Sequence, residues 1–319
     1  MFELVFLGTA ATAPAAERGL PALVVVAGPH RLLVDCGEGT QRQLMRARLG
    51  FRGLSHVLLT HPDLDHVLGL AGLIATLSLY GLGGALEIVG SEEAIAFVRR
   101  YLADTVGNES RAGYRLRAAA PGRVLSAADW HLDAFAVGHR GKASLGYLFA
   151  AEHRRPLLPE RLAALGVPSG PERAALARGE TIVLADGRRI RPEMVQGGDS
   201  AGARLAIIGD AAETEALIAP VRGADLLVIE ATFLARDAEL ARQRRHLTAA
   251  EAARLARDAG VGALVLNHIS GRYRAEEIAA EAAAIFAETR VAADFDHIRV
   301  AARPRTLDAD RDSDDNPQT

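Results

Sequence analysis

Residues 55–70 read SHVLLTHPDLDHVLGL, and four of the six positions from 61 to 66 carry an ionisable side chain: His61, Asp63, Asp65 and His66. They follow directly on an apolar, strand-like run, where ionisable groups do nothing for packing. Imidazole nitrogens and carboxylate oxygens in one tight turn are the donor set that zinc takes. With more oxygen the set also suits manganese or iron. The pattern recurs along the chain. The strand-like segments WHLDAFAVGH, RLAIIGD, DLLVIEAT and ALVLNH stop on or near His139, Asp210, Glu230 and His268. In layered α/β folds, sites form where strands end. A lone histidine at a strand end is commonly a satisfied polar residue. Several such ends, taken with the loop, are better explained together by a metal cluster. His139 and His268 can complete two separate ions, with Asp210 as a bridging carboxylate. Two divalent ions about 3.5–4 Å apart would activate a water and stabilise an in-line displacement at phosphorus.

The rest of the chain bounds this reading. Its 319 residues suffice for one large or two ordinary domains, and 49 % are apolar. A net charge of -3 rules out a general affinity for polyanions, so any basic surface is local. The single cysteine, Cys36, excludes an intrachain disulfide and a cysteine-rich zinc site. It reads as a small buried packing residue. The start, MFELVFLGTA, lacks the basic-then-apolar pattern of a signal peptide, and no apolar run reaches about 18 residues. The expectation is a cytoplasmic protein with no membrane span.

Strands are expected over 3–9, 22–28 and 30–37, the last two joined by a hairpin turn at AGPH. A helix over 40–50 is expected to stop at Gly50. Then follow a strand at HVLLT, a helix from about 69 to 80, a strand at LEIVG and a Ser-capped helix at SEEAIAFVRRYLADTV. Further strands are expected over 130–139, 204–210, 225–232 and 263–268. A capped helix covers 248–260, and RAEEIAAEAAAIFAETR forms another. Two strand-rich halves with helices imply two packed sheets with helices outside. Residues 153–195 differ. They hold five prolines and eight arginines (Arg154, Arg155, Arg161, Arg173, Arg178, Arg188, Arg189 and Arg191), which outnumber acids such as Glu160, Glu172, Glu180 and Asp186. With no long apolar period, the segment reads as an inserted arm standing off a domain of residues 1–302, or else as a solvated connection. The polar tail, 303–319, is expected to be disordered.

THPDLDHVLGL resembles the metal loop of the metallo-β-lactamase fold, usually His-x-His-x-Asp-His, with Asp63 in place of the second histidine. FLGT with LLVDCGEGTQRQL, then VGHRGKASLGYLF, resemble segments of the ribonuclease Z family, the tRNA 3′-processing endoribonucleases. LGVPSGP with LARGETIVLADGR is similar to that family's tRNA-binding arm. IIGD, LLVIEATF, RRHLTAAEAA and LVLNHISGRYR follow in the family's order, so the resemblance covers about residues 2–275. It implies an α/β protein, an αββα four-layer sandwich with a protruding arm. It also implies two divalent metal ions, zinc by family habit. His61, Asp63 and His139 would hold one, and Asp65, His66 and His268 the other, with Asp210 between. Asp65 would orient the attacking water as general base. Glu230 matches the glutamate of the family's HEAT element, and His246 the histidine of its H-x-Ser/Thr element. In contact, the two would keep the imidazole protonated to serve the leaving 3′-oxygen; the alternative is a purely structural pair.

Two positions depart from the family: Ile229 stands where HEAT has its histidine, and Asp63 replaces an imidazole. A harder, charged, shorter ligand at 63 shifts the expected metal preference towards manganese or iron. The implied reaction removes the 3′ trailer from precursor tRNA and leaves a 3′-hydroxyl. The arm of one subunit would hold the tRNA elbow by phosphate contacts and shape while its partner cuts, which implies a homodimer. Two rivals remain at this stage: a phosphodiesterase of small esters using the same site, and an RNA-binding homologue whose turnover was lost at Asp63.

Overall fold

Most strands of this protein form two sheets, each with apolar side chains buried on both faces. The computed structural model describes residues 1–82, 86–107, 113–152, 155, 157–197 and 201–303; Arg154 and the tail from 304 onward lie outside these. Two compact units divide the chain, one from Met1–Ala150 with Ala203–Ala301, the other centred on Ala151–Gly202.

The strands are β1 (Phe2–Gly8), β2 (Ala22–Ala27), β3 (His30–Val34), β4 (Leu54–Leu58), β5 (Leu86–Gly90) and β6 (Tyr114–Ala118). Next come β7 (Gly122–Ser126), β8 (Trp130–His139), β9 (Lys142–Ala151), β10 (Ile182–Val183) and β11 (Arg189–Ile190). The last five are β12 (Arg204–Ile207), β13 (Leu226–Glu230), β14 (Leu264–Asn267), β15 (Thr289–Val291) and β16 (His297–Val300). In the first unit one seven-stranded sheet runs β16-β1-β2-β3-β4-β5-β6 and the other β15-β14-β13-β12-β9-β8-β7. β3 to β6 are parallel neighbours, as are β12 to β15.

In the first sheet Val5, Leu7, Val24, Leu33, Val57 and Ile88 pack with Leu44, Leu73, Ile74, Val98 and Leu102 of the helices Thr40–Arg46, Gly69–Leu79 and Glu92–Thr105. In the second, Val137, Ala206, Leu227, Ile229 and Leu266 pack with Ala252, Ala256, Ile278 and Ala282 of the helices Ala249–Asp258 and Ala275–Ala283. The alternate residues, among them Leu4, Leu32, Leu58, Phe149, Leu205 and Val228, are buried too. They lie between the sheets: the Phe2 and Phe149 rings meet edge-on at 5.9 Å, and Tyr147 donates to Leu59 O at 2.7 Å. Helix, sheet, sheet and helix are therefore stacked as four layers. Double coverage explains why the parallel strands read as unbroken apolar runs. Cys36 is fully buried, and burial first of all pushes its thiol up to about 12, so it serves packing.

Helix starts follow their caps. Ser91 Oγ accepts from Ala94 N, and Thr248 and Glu251 satisfy each other's backbone N–H groups in a capping box. The first helix ends at Arg46, four residues short of Gly50. Leu49 N and Gly50 N both turn back to Leu44 O, with Arg48 and Gly50 at positive φ. The last helix closes at Ala283, and residues 289–291 instead become β15. β9 carries Gly146 because a Cβ there would sit 2.3 Å from the Phe135 ring.

The second unit has its own small core. Leu162, Val167, Leu176, Ile182, Ile190 and Val195 are buried together, supplied by the helices Pro159–Ala164, Pro171–Ala177 and Pro192–Val195 and the β10–β11 hairpin. Each helix opens on a proline, whose missing N–H costs nothing there.

The metal-loop region is clamped by glycine contacts. A Cβ on Gly69 would lie 2.0 Å from Gly37 O, and one on Gly37 would lie 2.5 Å from Asp65 O. Gly69→Ala should lower stability by roughly 1–3 kcal/mol, the cost of overpacking against backbone, despite a helix-propensity gain of under about 1 kcal/mol. Chemical denaturation checks this, and an unchanged midpoint would refute the clamp.

Candidate metal centre

Five strand ends of the first unit converge on one point. The loop after β4 brings His61, Asp63, Asp65 and His66, β8 ends on His139, Asp210 follows β12, Glu230 ends β13, and His268 follows β14. His246 precedes the capped helix Ala249–Asp258, whose start is pinned by Thr248. All nine side chains singled out above lie at this place. The ligand atoms of His61, Asp63, His139 and Asp210 lie within 4.8 Å of one another, as do those of Asp65, His66 and His268.

Asp210 stands between the two sets. Its Oδ2 is 3.5 Å from His61 Nε2 and 3.8 Å from His139 Nε2; its Oδ1 is 3.4 Å from His66 Nε2 and 3.3 Å from His268 Nε2. Asp63 Oδ2 is 3.7 Å from both His61 Nε2 and His139 Nε2. Asp65 Oδ2 is 3.7 Å from His66 Nε2 and 3.4 Å from His268 Nε2, and accepts from Thr12 N at 3.1 Å.

Two buried carboxylates set the imidazole tautomers from behind. Asp35 takes His66 Nδ1 directly at 2.8 Å, and also the Thr60 hydroxyl at 2.8 Å. With its hydrogen so used, Thr60 Oγ1 accepts from His61 Nδ1 at 2.9 Å. Glu230 repeats the arrangement in the second sheet. It takes His246 Nδ1 directly at 3.0 Å and the Thr232 hydroxyl at 2.5 Å, and Thr232 Oγ1 meets His268 Nδ1 at 2.9 Å. With Nδ1 of His61, His66 and His268 held from behind, each Nε2 is aimed at the centre, where it would coordinate an ion once it carries no proton. Sequence reading passed over Asp35, Thr60 and Thr232. Their signal was weak: threonines in apolar runs read as strand formers, and Asp35 sits in the quoted segment LLVDCGEGT without a visible partner.

These residues fit divalent ions. His61 Nε2, His66 Nε2, both His139 nitrogens and Asp210 Oδ1 are buried without a hydrogen-bond partner, although an unpaired buried polar atom is costly. The charge balance points the same way. Burial opposes ionisation of Asp210, yet His268, His66 and His61 hold it well below the usual carboxylate range. Burial likewise opposes charge on His66, yet Asp210 and Asp35 raise its pKa well above that of ordinary imidazole. Asp65, against its burial, is lowered to about 2, first by its hydrogen bond to His268. For His61, burial and then the neighbouring His66 push the pKa down. The cluster is a set of carboxylates drawing positive charge inward, and nitrogen–oxygen donor sets of this kind suit zinc, manganese or iron.

Ile229 points away from the site. Alternation along β13 puts it among the apolar residues facing the helices, opposite Glu230, so the departure at 229 leaves the cluster untouched. The departure at 63 falls inside it. There Arg140, which follows His139, donates to Asp63 Oδ2 at 3.0 Å.

If the threonine relay fixes the His268 tautomer, Thr232→Val should keep the fold and weaken divalent-metal binding roughly ten- to a hundredfold. Calorimetric titration of stripped protein with manganese(II) measures it, and unaltered affinity would count against the relay.

The metallo-beta-lactamase superfamily model matches residues 20–140. A ribonuclease Z of Bradyrhizobium sp. (strain ORS 278) is 53 % identical over 302 residues, covering 94 % of this chain and 100 % of that protein. The ribonuclease Z of Archaeoglobus fulgidus is 39 % identical over 305 residues, covering 94 % and 98 %. Among solved structures, the short form of human tRNase Z superposes with a TM-score of 0.64 at 24 % identity, covering 93 % of this chain and 99 % of that one, a likeness of fold. With nearly full-length relatives at this identity, the chain belongs to the ribonuclease Z family.

Proposed function

We propose that this protein is a metal-dependent endoribonuclease that removes the 3′ trailer from precursor tRNA by hydrolysing one phosphodiester. Relatives named ribonuclease Z, matched over nearly the whole chain, support the substrate. Asp210 carries the mechanism: its Oδ2 faces Nε2 of His61 and His139 and its Oδ1 faces Nε2 of His66 and His268, an arrangement suited to two ions. Two divalent ions, when bound, acidify a water and offset the charge that builds at phosphorus.

The remaining work falls to side chains. Asp65, ionised at neutral pH and anchored by Thr12 N, accepts a hydrogen bond from the attacking water, aims it and takes its proton as general base. Behind the leaving group, Glu230 holds His246 Nδ1–H. Although burial opposes it, that carboxylate raises the imidazole to about 9. His246 then protonates the departing 3′-oxygen, which becomes the tRNA 3′-hydroxyl, and the phosphate stays on the trailer.

Asp63 puts a charged oxygen where the family has an imidazole, so we read the set with His61 and His139 as favouring manganese or iron over zinc. Residues 153–195 serve as the tRNA-holding arm, acting within a cytoplasmic homodimer. Several of their guanidinium groups are already engaged. Arg161 and Arg173 donate to backbone carbonyls, and Arg178 and Arg188 pair with Glu180 and Asp186. The grip therefore depends on shape and backbone as well as charge. No helix among the described residues is long and apolar enough to cross a membrane.

The test is cleavage of a trailer-bearing precursor tRNA by stripped protein given zinc, manganese or iron(II). Cutting at the trailer junction is expected, best with manganese or iron(II), and Asp65→Ala should slow it by more than about a hundredfold. No cutting with any metal would refute the reading. Excising 153–195 is tolerable because Ala150 and Arg204 are paired across β9 and β12. The excised enzyme should lose tRNA cleavage and keep hydrolysis of a small aryl phosphodiester; equal loss of both would refute the arm's role.

A further inference from the structure

Arg140 occupies a position that backbone geometry disfavours for it. β8 and β9 are joined by Arg140 and Gly141 alone, with φ of +47° and +69°. A two-residue hairpin turn with both φ positive favours Asn-Gly. A bulky residue held there points to a role for its side chain.

That side chain spans the site. Its guanidinium donates to Asp63 Oδ2 at 3.0 Å and to Arg244 O at 3.1 Å, and faces His246 Nε2 at 3.2 Å. Two cavities open beside the cluster. One, of about 680 Å³, is lined by His246, Phe233, Tyr273 and Arg244; the other, of about 440 Å³, by Asp63, Asp65, Phe97 and Arg100. Among the described residues, Arg140 alone lines both. The first cavity offers two aromatic rings and the second one, Phe97, each beside a guanidinium, the means by which single-stranded nucleic acid is held. A phosphodiester has a nucleotide on each side of its phosphorus. A strand laid from one cavity to the other would carry that phosphorus past Arg140, between Asp65 and His246.

We propose that Arg140 is a phosphate-binding residue of the cleavage site, held on Asp63 until a phosphodiester arrives and then transferred to a non-bridging phosphate oxygen. This rests on the nuclease reading above. The transfer has two consequences by geometry. It uncovers His246 Nε2, which the guanidinium otherwise faces, and it releases Asp63 Oδ2 to the metal set. A guanidinium suits both partners because its fork matches carboxylate and phosphate alike.

Arg140→Asn separates this from a merely structural role, because asparagine suits the turn and the variant should fold. The full-length, metal-loaded enzyme would be assayed on bis(p-nitrophenyl) phosphate and on precursor tRNA, with manganese(II) titrations of stripped protein and thermal melts. The melting temperature should be unchanged or higher. kcat/KM on the small diester should fall roughly ten- to a hundredfold, as for a lost charged hydrogen bond. Manganese(II) should bind as well or more tightly, since Asp63 loses a competing cation, and Arg140→Lys should recover part of the rate. Unchanged kcat/KM on the diester would overturn the proposal. So would a loss matched by weaker manganese(II) binding, which would mean that Arg140 only holds Asp63 in place. The small diester keeps this test independent of tRNA: wild-type protein that cleaves the diester but spares precursor tRNA would overturn the substrate and leave the role of Arg140 measurable.

Discussion

Asp210 is a carboxylate removed from water and ringed by five imidazole nitrogens at 3.3–3.8 Å, four of them Nε2 atoms and the fifth Nδ1 of His246. An ionised group in such a place is expensive unless positive charge meets it on every side. Much of the first unit serves that requirement. His61 and His66 come from the end of a strand in the first sheet, His139 and His268 from strands of the second. Each set draws one histidine from each sheet, so the spacing within a set is fixed by how closely the sheets pack. At Gly209 they touch: a Cβ there would lie 2.6 Å from Thr60 Oγ1.

The two sheets support the centre by the same device. Asp35 holds His66 directly and His61 through Thr60; Glu230 holds His246 directly and His268 through Thr232. A buried carboxylate with two clients is itself stabilised by the hydrogens it receives, and each ring is locked in one tautomer. The device has one asymmetry with functional weight. In the first sheet both clients face the metal sets. In the second, His246 also faces the cavity bounded by Phe233 and Tyr273, where it can serve a leaving oxygen.

Contiguity decided what could be read from sequence. The HPDLDH loop was legible because its donors sit within six residues, and His139 and His268 because unmistakable apolar strands stop on them. Asp35, Thr60 and Thr232 were not, since Asp35 meets its partners 25 and 31 positions away and threonine is an ordinary strand residue. Arg140 stood in a quoted segment, but only the turn's positive φ and the two flanking cavities give it meaning. Among the elements, β6 and β7 were missed because they are largely exposed and alternate weakly, and β15 and β16 because they are only three and four residues long. The core of residues 151–202 was hidden by its size, six apolar side chains spread over short helices and a hairpin.

The central claim is that one carboxylate joins two metal sets. Stripped protein would be loaded with manganese(II) and its bound ions counted and examined by electron paramagnetic resonance, with Asp210→Asn alongside. The account predicts two ions per chain with the spectrum of a spin-coupled pair, and loss of that coupling in the variant. A single bound ion, or two uncoupled ions with binding unaffected by the substitution, would contradict it.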